Sequence, residues 1–187
     1  MKSSLFVRKI IDKYIKDEEL KRLLITHSEK VGDKAIEIVE SCGLAGKVDK
    51  QELYDSAMLH DIGIVNCNAP AIHCHGSRPY ICHGIEGGKI LRFEGLEDSY
   101  ARICERHTGA GLTAGEIEKM GLPLPKADYL PETLQEKIIC YADKFYSKSG
   151  DPTREKDINQ IIGSLGRHGE EVVARFMELH NMFSCEN

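Results

Sequence analysis

From Leu5 onward the chain repeats apolar residues at intervals of three and four, the spacing that gathers one face of an α-helix. Leu5, Phe6, Ile10, Ile11, Tyr14 and Ile15 predict a first helix over about 4–15. Leu20, Leu23, Leu24, Val31, Ala35, Ile38 and Val39 predict a second over 18–42, with Gly43 as its stop. A third, 50–62, follows Asp49 as N-cap and ends against Gly63. Residues 65–82 carry Pro70, Gly76 and Pro79 without helical periodicity and predict a long surface loop. Helices are expected again over 84–93, 98–107 and 114–120. The run Pro131-Glu132-Thr133-Leu134-Gln135-Glu136 has the form of a capping box before a helix reaching about 146. Two more, 154–165 and 170–182, close the chain. No alternating strand pattern emerges, so the expected fold class is all-α.

Length and charge narrow the picture. A chain of 187 residues, 41% hydrophobic, suffices for one self-supporting core, so a single unit over 1–187 is expected, its core about 18–149 and its last helices 153–183. Thirty acidic and 25 basic residues give a net charge of −5 and are mixed along the chain, leaving no basic face for a nucleic-acid polymer. No apolar run reaches the length of a membrane span and the first sixteen residues do not read as a signal peptide, so a cytoplasmic protein is expected. A homo-oligomer stays open. The seven cysteines form an odd set with no CxxC pair and are expected to be free thiols. Cys104 and Cys140 read as small core residues. Cys67, Cys74 and Cys82 lie in the histidine-bearing loop, where reduced, unligated thiols and zinc ligands are the alternatives, and no four-ligand spacing emerges.

Histidines and aspartates recur inside or at the ends of apolar helices. His27 follows Leu23-Leu24-Ile25, His60 and Asp61 end Ala57-Met58-Leu59, and Asp143 follows Ile138-Ile139-Cys140-Tyr141-Ala142. Singly, His27 reads as a hydrogen-bonded core histidine and Asp61 as a polar helix end. Together they demand a positive partner, because a buried carboxylate costs several kcal/mol unless paired or metal-bound, and helical spacing supplies no local cation to either aspartate.

This ordered set, with His60-Asp61-Ile62-Gly63 spelling HDIG and the surrounding runs AMLHDIG, HGIEGGKIL, ERHTGAGLT and PETLQEKIICYADKF, resembles the HD superfamily of metal-dependent phosphohydrolases, in particular its small stand-alone HDIG proteins. The resemblance implies a helical HD-domain bundle in which His27, His60, Asp61 and Asp143 hold one metal, while His83 and His107 hold a second with Asp61 bridging. The alternative is a mononuclear site with His83 and His107 outside the coordination sphere. Imidazole-rich ligation suits a divalent transition metal: iron or manganese is favoured, with zinc, nickel and cobalt as alternatives. The implied reaction is hydrolysis of a phosphoester or phosphoanhydride in a nucleotide, a dinucleoside polyphosphate or another small phosphorylated metabolite, with Asp61 catalytic. Lys144 and Arg106, next to ligands, are candidate anion clamps, each with a solvated surface charge as its alternative. His73, His75 and Arg78 form a candidate substrate loop, with exposed loop residues as the bland reading. Gly84, Gly87 and Gly88 fit either phosphate approach or close helix packing. His168 and His180 read as surface residues. The same scaffold also serves di-iron oxygenases and non-catalytic metal-binding regulatory modules, while the GYP element of the cyclic-dinucleotide branch is absent.

Overall fold

The computed structural model describes residues 1–185, so the last two residues of the unit expected over 1–187 lie outside it. Nine α-helices occur among the described residues: α1 Leu5–Tyr14, α2 Glu18–Ser41, α3 Lys50–Leu59, α4 His83–Phe93, α5 Asp98–Arg106, α6 Ala114–Lys119, α7 Leu134–Asp143, α8 Ile158–Leu165 and α9 Glu170–Phe183. Five of them start at a side-chain cap. The Asp17 carboxylate accepts from the Leu20 amide, and Asp49 accepts from the Gln51 and Glu52 amides. Thr133 and Glu136 form the reciprocal capping box expected ahead of α7, and equivalent boxes open α6 and α8. Gly43, at φ +63°, supplies the left-handed turn after α2.

Two apolar clusters fill the interior, and α2 runs through both. Leu20 and Leu24 pack with α1, α4 and the end of α3, whereas Val31, Ala35, Ile38 and Val39 pack with α7, α8 and α9. His27 lies on α2 between these two sets, fully buried. The second cluster centres on Phe176, which is fully buried and stacked on Tyr141. His180 belongs here too. Its Nδ1 lies 2.8 Å from the Tyr141 hydroxyl, so it is a half-buried helix-packing residue and not the surface residue its position suggested.

The segment expected to be an irregular surface loop is ordered differently. Short 3-10 turns at Ile62–Asn66, Pro70–Ile72 and Tyr80–Cys82 alternate with strands β1 Cys67–Ala69, β2 Cys74–His75 and β3 Arg78–Pro79. These form a sheet ordered β2-β1-β3, in which Asn68 faces His75 across an antiparallel pair and Cys67 faces Arg78 across a parallel one. Strands of two or three residues are too short to display alternation, and for that reason the sequence pattern does not reveal them. Cys67 and Cys74 in the strands and Ile72 and Cys82 in the turns are buried.

The cysteine expectation also needs correction. Cys42 at the end of α2 is bonded to Cys185, 143 positions later, while Cys67, Cys74, Cys82, Cys104 and Cys140 are free and buried. So distant a pairing leaves no trace in local spacing.

Because α7 delivers Asp143, its cap is a test of how local order supports the site. Thr133→Ala is expected to cost about 1 kcal/mol, lowering Tm by about 2–4 °C. Thermal unfolding followed by circular dichroism measures it, and an unchanged Tm would show that packing alone fixes the start of α7.

Candidate metal centre

The site is assembled by glycines before it is assembled by ligands. Gly63, Gly84, Gly87 and Gly88 lie where backbones and side chains press together. A Cβ on Gly84 would stand 2.5 Å from the Cys104 carbonyl oxygen, one on Gly87 would press on the Cys104 side chain, and one on Gly88 would meet Glu105. Of the two alternatives for these glycines, close packing of α4 on α5 therefore accounts for Gly84, Gly87 and Gly88. That approach brings His83, first residue of α4, against His107, just past α5, with their Nε2 atoms 3.0 Å apart.

Six buried side chains from five stretches of the chain converge. The Asp61 carboxylate links them: Oδ2 lies 3.0 Å from His60 Nε2 and 3.3 Å from His27 Nε2, and Oδ1 lies 3.3 Å from His107 Nε2 and 3.4 Å from His83 Nε2. Asp143 Oδ1 stands 3.0 Å from His27 Nε2 and 3.3 Å from His60 Nε2. Three imidazoles are oriented by the helix ends that carry them. The Nδ1–H groups of His60, His83 and His107 donate to the carbonyl oxygens of Ala57, Tyr80 and Cys104, each three residues earlier. A carbonyl only accepts, so each Nδ1 keeps its proton.

Burial, with the neighbouring His107 ring, drives His83 down to about 3, and burial also lowers His107, so both rings are neutral. Their Nε2 lone pairs then face each other and the ionised Asp61 Oδ1, which has no donor of its own. Three acceptors within 3.0–3.4 Å and no proton among them repel unless a cation lies between. This donor set fits a metal ion. Around His60 the balance differs: burial opposes its charge, but Asp61 and Asp143 outweigh burial and raise it to about 9. Burial likewise opposes ionisation of Asp61 and Asp143. His60 and Lys148 hold Asp61 well below the usual carboxylate range, and Lys144 and Lys148 do the same for Asp143. Two groupings with metal-ligand spacing result, His27, His60, Asp61 and Asp143 on one side and Asp61, His83 and His107 on the other.

The remaining sequence candidates separate. Lys144 reaches inward, its Nζ 2.6 Å from Asp143 Oδ2 and 3.0 Å from the His107 carbonyl oxygen. Arg106 turns away. It binds the Leu130 carbonyl and lies 3.0 Å from Glu132, joining α5 to the segment before α7 and leaving the site without it. In the loop, His73 pairs with Glu19 at 3.0 Å, His75 is exposed, and Arg78 lies 3.6 Å from Glu86. A cavity of about 430 Å³ opens onto Asp143, and the loop lines it with Ala69, Ala71, Ile72 and Tyr80 instead of those three. Sequence reasoning missed Lys148, whose Nζ lies 2.5 Å from Asp61 Oδ2 and which lines the same cavity. Its one visible signal is its place four residues after Lys144 in Asp143-Lys144-Phe145-Tyr146-Ser147-Lys148.

A helical scaffold gathering histidines and aspartates in this order defines a metal-binding class of helical domain. The chain belongs to the HD domain family, whose model matches residues 24–147, from α2 to just beyond α7. It is 38% identical over 180 residues, 92% of its length, to a tRNA (cytidine(56)-2'-O)-methyltransferase of Picrophilus torridus, and 31% identical to a protein of the same name from Thermoplasma volcanium. The chain spans about half the length of these curated relatives, 48% and 42% respectively. It is 40% identical over 140 residues to an uncharacterized protein of Methanocaldococcus jannaschii, covering 74% of this chain and 73% of the other. Among solved structures, the HD domain of the L. monocytogenes phosphodiesterase PgpH shares the fold, with a TM-score of 0.51 at 14% identity and 97% coverage of each chain.

Proposed function

We propose that this chain is a metal-dependent phosphohydrolase that cleaves a phosphoester or phosphoanhydride in a nucleotide or another small phosphorylated metabolite. The observation that carries the reading is one carboxylate, Asp61, shared between two ligand groupings whose edge opens into a lysine-lined cavity. Bound there, two divalent ions would supply Lewis acidity and a water of lowered pKa. Iron or manganese suits the imidazole-rich set. His27, His60 and Asp143 would hold one ion and His83 and His107 the other. The three carbonyl-anchored imidazoles already aim their Nε2 atoms at the site, His83 and His107 with free lone pairs and His60 once an ion replaces its Nε2 proton. Lys144 and Lys148, at the cavity wall, are placed to neutralise phosphoryl oxygens as charge develops.

The PgpH domain has also been solved in complex with cyclic-di-AMP, which makes a phosphorylated nucleotide a reasonable chemical class to test here. The methyltransferase name belongs to proteins about twice the length of the matched part. Histidines and carboxylates gathered beside lysines are chemistry for water activation, which supports hydrolysis as the reading for this part of the relatives' length.

Anaerobic metal analysis followed by a phosphatase screen over nucleotides, with iron and manganese added back, is the test. The expected result is two ions per chain and metal-dependent phosphate release. His83→Ala and His107→Ala are each expected to bind one ion and to lose turnover on the order of 10²-fold or more, since even outer partners of ligands cost 10–100-fold. Two ions retained in both variants would remove these histidines from the coordination sphere. Oxygen consumption without phosphate release would replace hydrolysis with oxygenase chemistry.

A further inference from the structure

The cavity beside the metal centre carries more positive charge than a single phosphoryl group requires. Lys144 and Lys148 face the ligand carboxylates Asp143 and Asp61, at 2.6 and 2.5 Å. Lys156 also lines the cavity but has no carboxylate partner among the described residues. Its place is fixed by the backbone. The Lys156 amide donates to the Phe145 carbonyl oxygen at 2.8 Å, tying this segment to the end of α7, and the next residue, Asp157, caps α8 in a reciprocal box with Gln160. Ser147 and Ser149 line the same wall, their hydroxyl oxygens 3.0 Å apart.

A half-buried lysine gathered with other cations is electrostatically unfavourable on its own. Burial lowers the Lys156 pKa, and Lys144, Lys148 and Arg167 lower it further, while only Asp143 among its main neighbours acts in the other direction. That arrangement is repaid when an anion enters. Beyond the lysines the wall becomes apolar, with Ile72, Tyr146, Ile161 and Leu165.

We propose that Lys156, assisted by the Ser147 and Ser149 hydroxyls, is a second anion subsite, which selects substrates carrying a further phosphoryl group next to the one cleaved, with an apolar moiety such as a nucleobase against Ile161 and Leu165. This rests on the hydrolase reading above and deepens it from a phosphorylated metabolite to a nucleoside di- or polyphosphate. Lys156 determines specificity and stands apart from the ligand set, so its loss acts on substrate choice.

The test measures binding without turnover. Protein loaded with metal and freed of unbound ions is titrated calorimetrically with the 5'-methylenephosphonate analogue of AMP and with α,β-methylene-ADP, whose bridging carbons resist hydrolysis. The wild-type protein is expected to bind the diphosphate analogue about tenfold more tightly than the monophosphate analogue, the scale of one charge-assisted hydrogen bond. Lys156→Gln is expected to bring that ratio close to one, and Lys156→Arg to retain it. Equal metal content and circular dichroism in all three proteins establish that the comparison is between folded, loaded sites. No preference in the wild type, or an undiminished preference in Lys156→Gln, overturns the subsite. Loss of the preference in Lys156→Gln, in a protein that hydrolyses no nucleotide, keeps the subsite and removes the hydrolase reading, so the two ideas fail separately.

Discussion

Asp61→Asn is expected to leave a folded protein that retains no tightly bound metal and has lost turnover by more than about 10³-fold, beyond the 10²–10³ that removing a single electrostatic stabiliser costs. The reason is geometric. One carboxylate serves both groupings, Oδ2 toward His27 and His60 and Oδ1 toward His83 and His107, so removing its charge weakens two sites at once. Asparagine is the informative replacement because it keeps the size of the side chain and an oxygen that accepts from Lys148. Alanine would leave the partly buried Lys148 ammonium without its 2.5 Å partner, which destabilises the fold as well as the site. An Asp61→Ala protein that fails to fold is therefore uninformative about metals, whereas Asp61→Asn separates folding from ligation. Metal content by mass spectrometry, beside a circular dichroism spectrum, decides the matter. Two ions in folded Asp61→Asn would refute the bridging role.

How far this centre could be read from sequence depends on the kind of information each part uses. His27, His60, Asp61 and Asp143 stand out because polar residues interrupt apolar helical faces, a local anomaly that burial then explains. The helices themselves follow from periodicity and caps, as at Asp49 and Thr133. Their ends are less legible. α3 stops at Leu59 because the chain tightens into a 3-10 turn that points Asp61 inward, and α8 begins at Ile158, where Asp157 and Gln160 form the cap, after a charged stretch that offers no apolar face. Lys148 and Lys156 lie between α7 and α8, where no periodicity operates, and only the folded chain brings Lys148 to Asp61, 87 positions earlier. Arg106 shows the opposite failure. Adjacency to a ligand in sequence suggested a clamp, but successive helical residues point about 100° apart, and Arg106 faces the segment before α7.

Gly63→Ala tests whether the final letter of the HDIG run is a packing requirement. Gly63 sits in the 3-10 turn directly after Asp61, and a Cβ there would overlap the His83 carbonyl oxygen and the Gly87 amide nitrogen and stand 2.8 Å from the Gly87 Cα. All three are backbone atoms of α4, so no rotamer change can relieve the collision. Either the turn or α4 has to move. Such overpacking is expected to cost about 3 kcal/mol or more, lowering Tm by about 6–12 °C in a chain of this size. Movement of α4 carries His83 with it, since His83 is both a site residue and one of the atoms struck, so the folded fraction is also expected to bind less metal than the wild type. Gly163→Ala supplies the contrast. Gly163 lies within α8 with nothing within 4 Å of an added Cβ, and there the same substitution is expected to stabilise by about 0.5–1 kcal/mol through helix propensity. Thermal melts of the two variants should therefore shift in opposite directions. A Gly63→Ala protein as stable and as fully loaded as the wild type would mean that α4 does not depend on backbone contact at this turn to place its histidine.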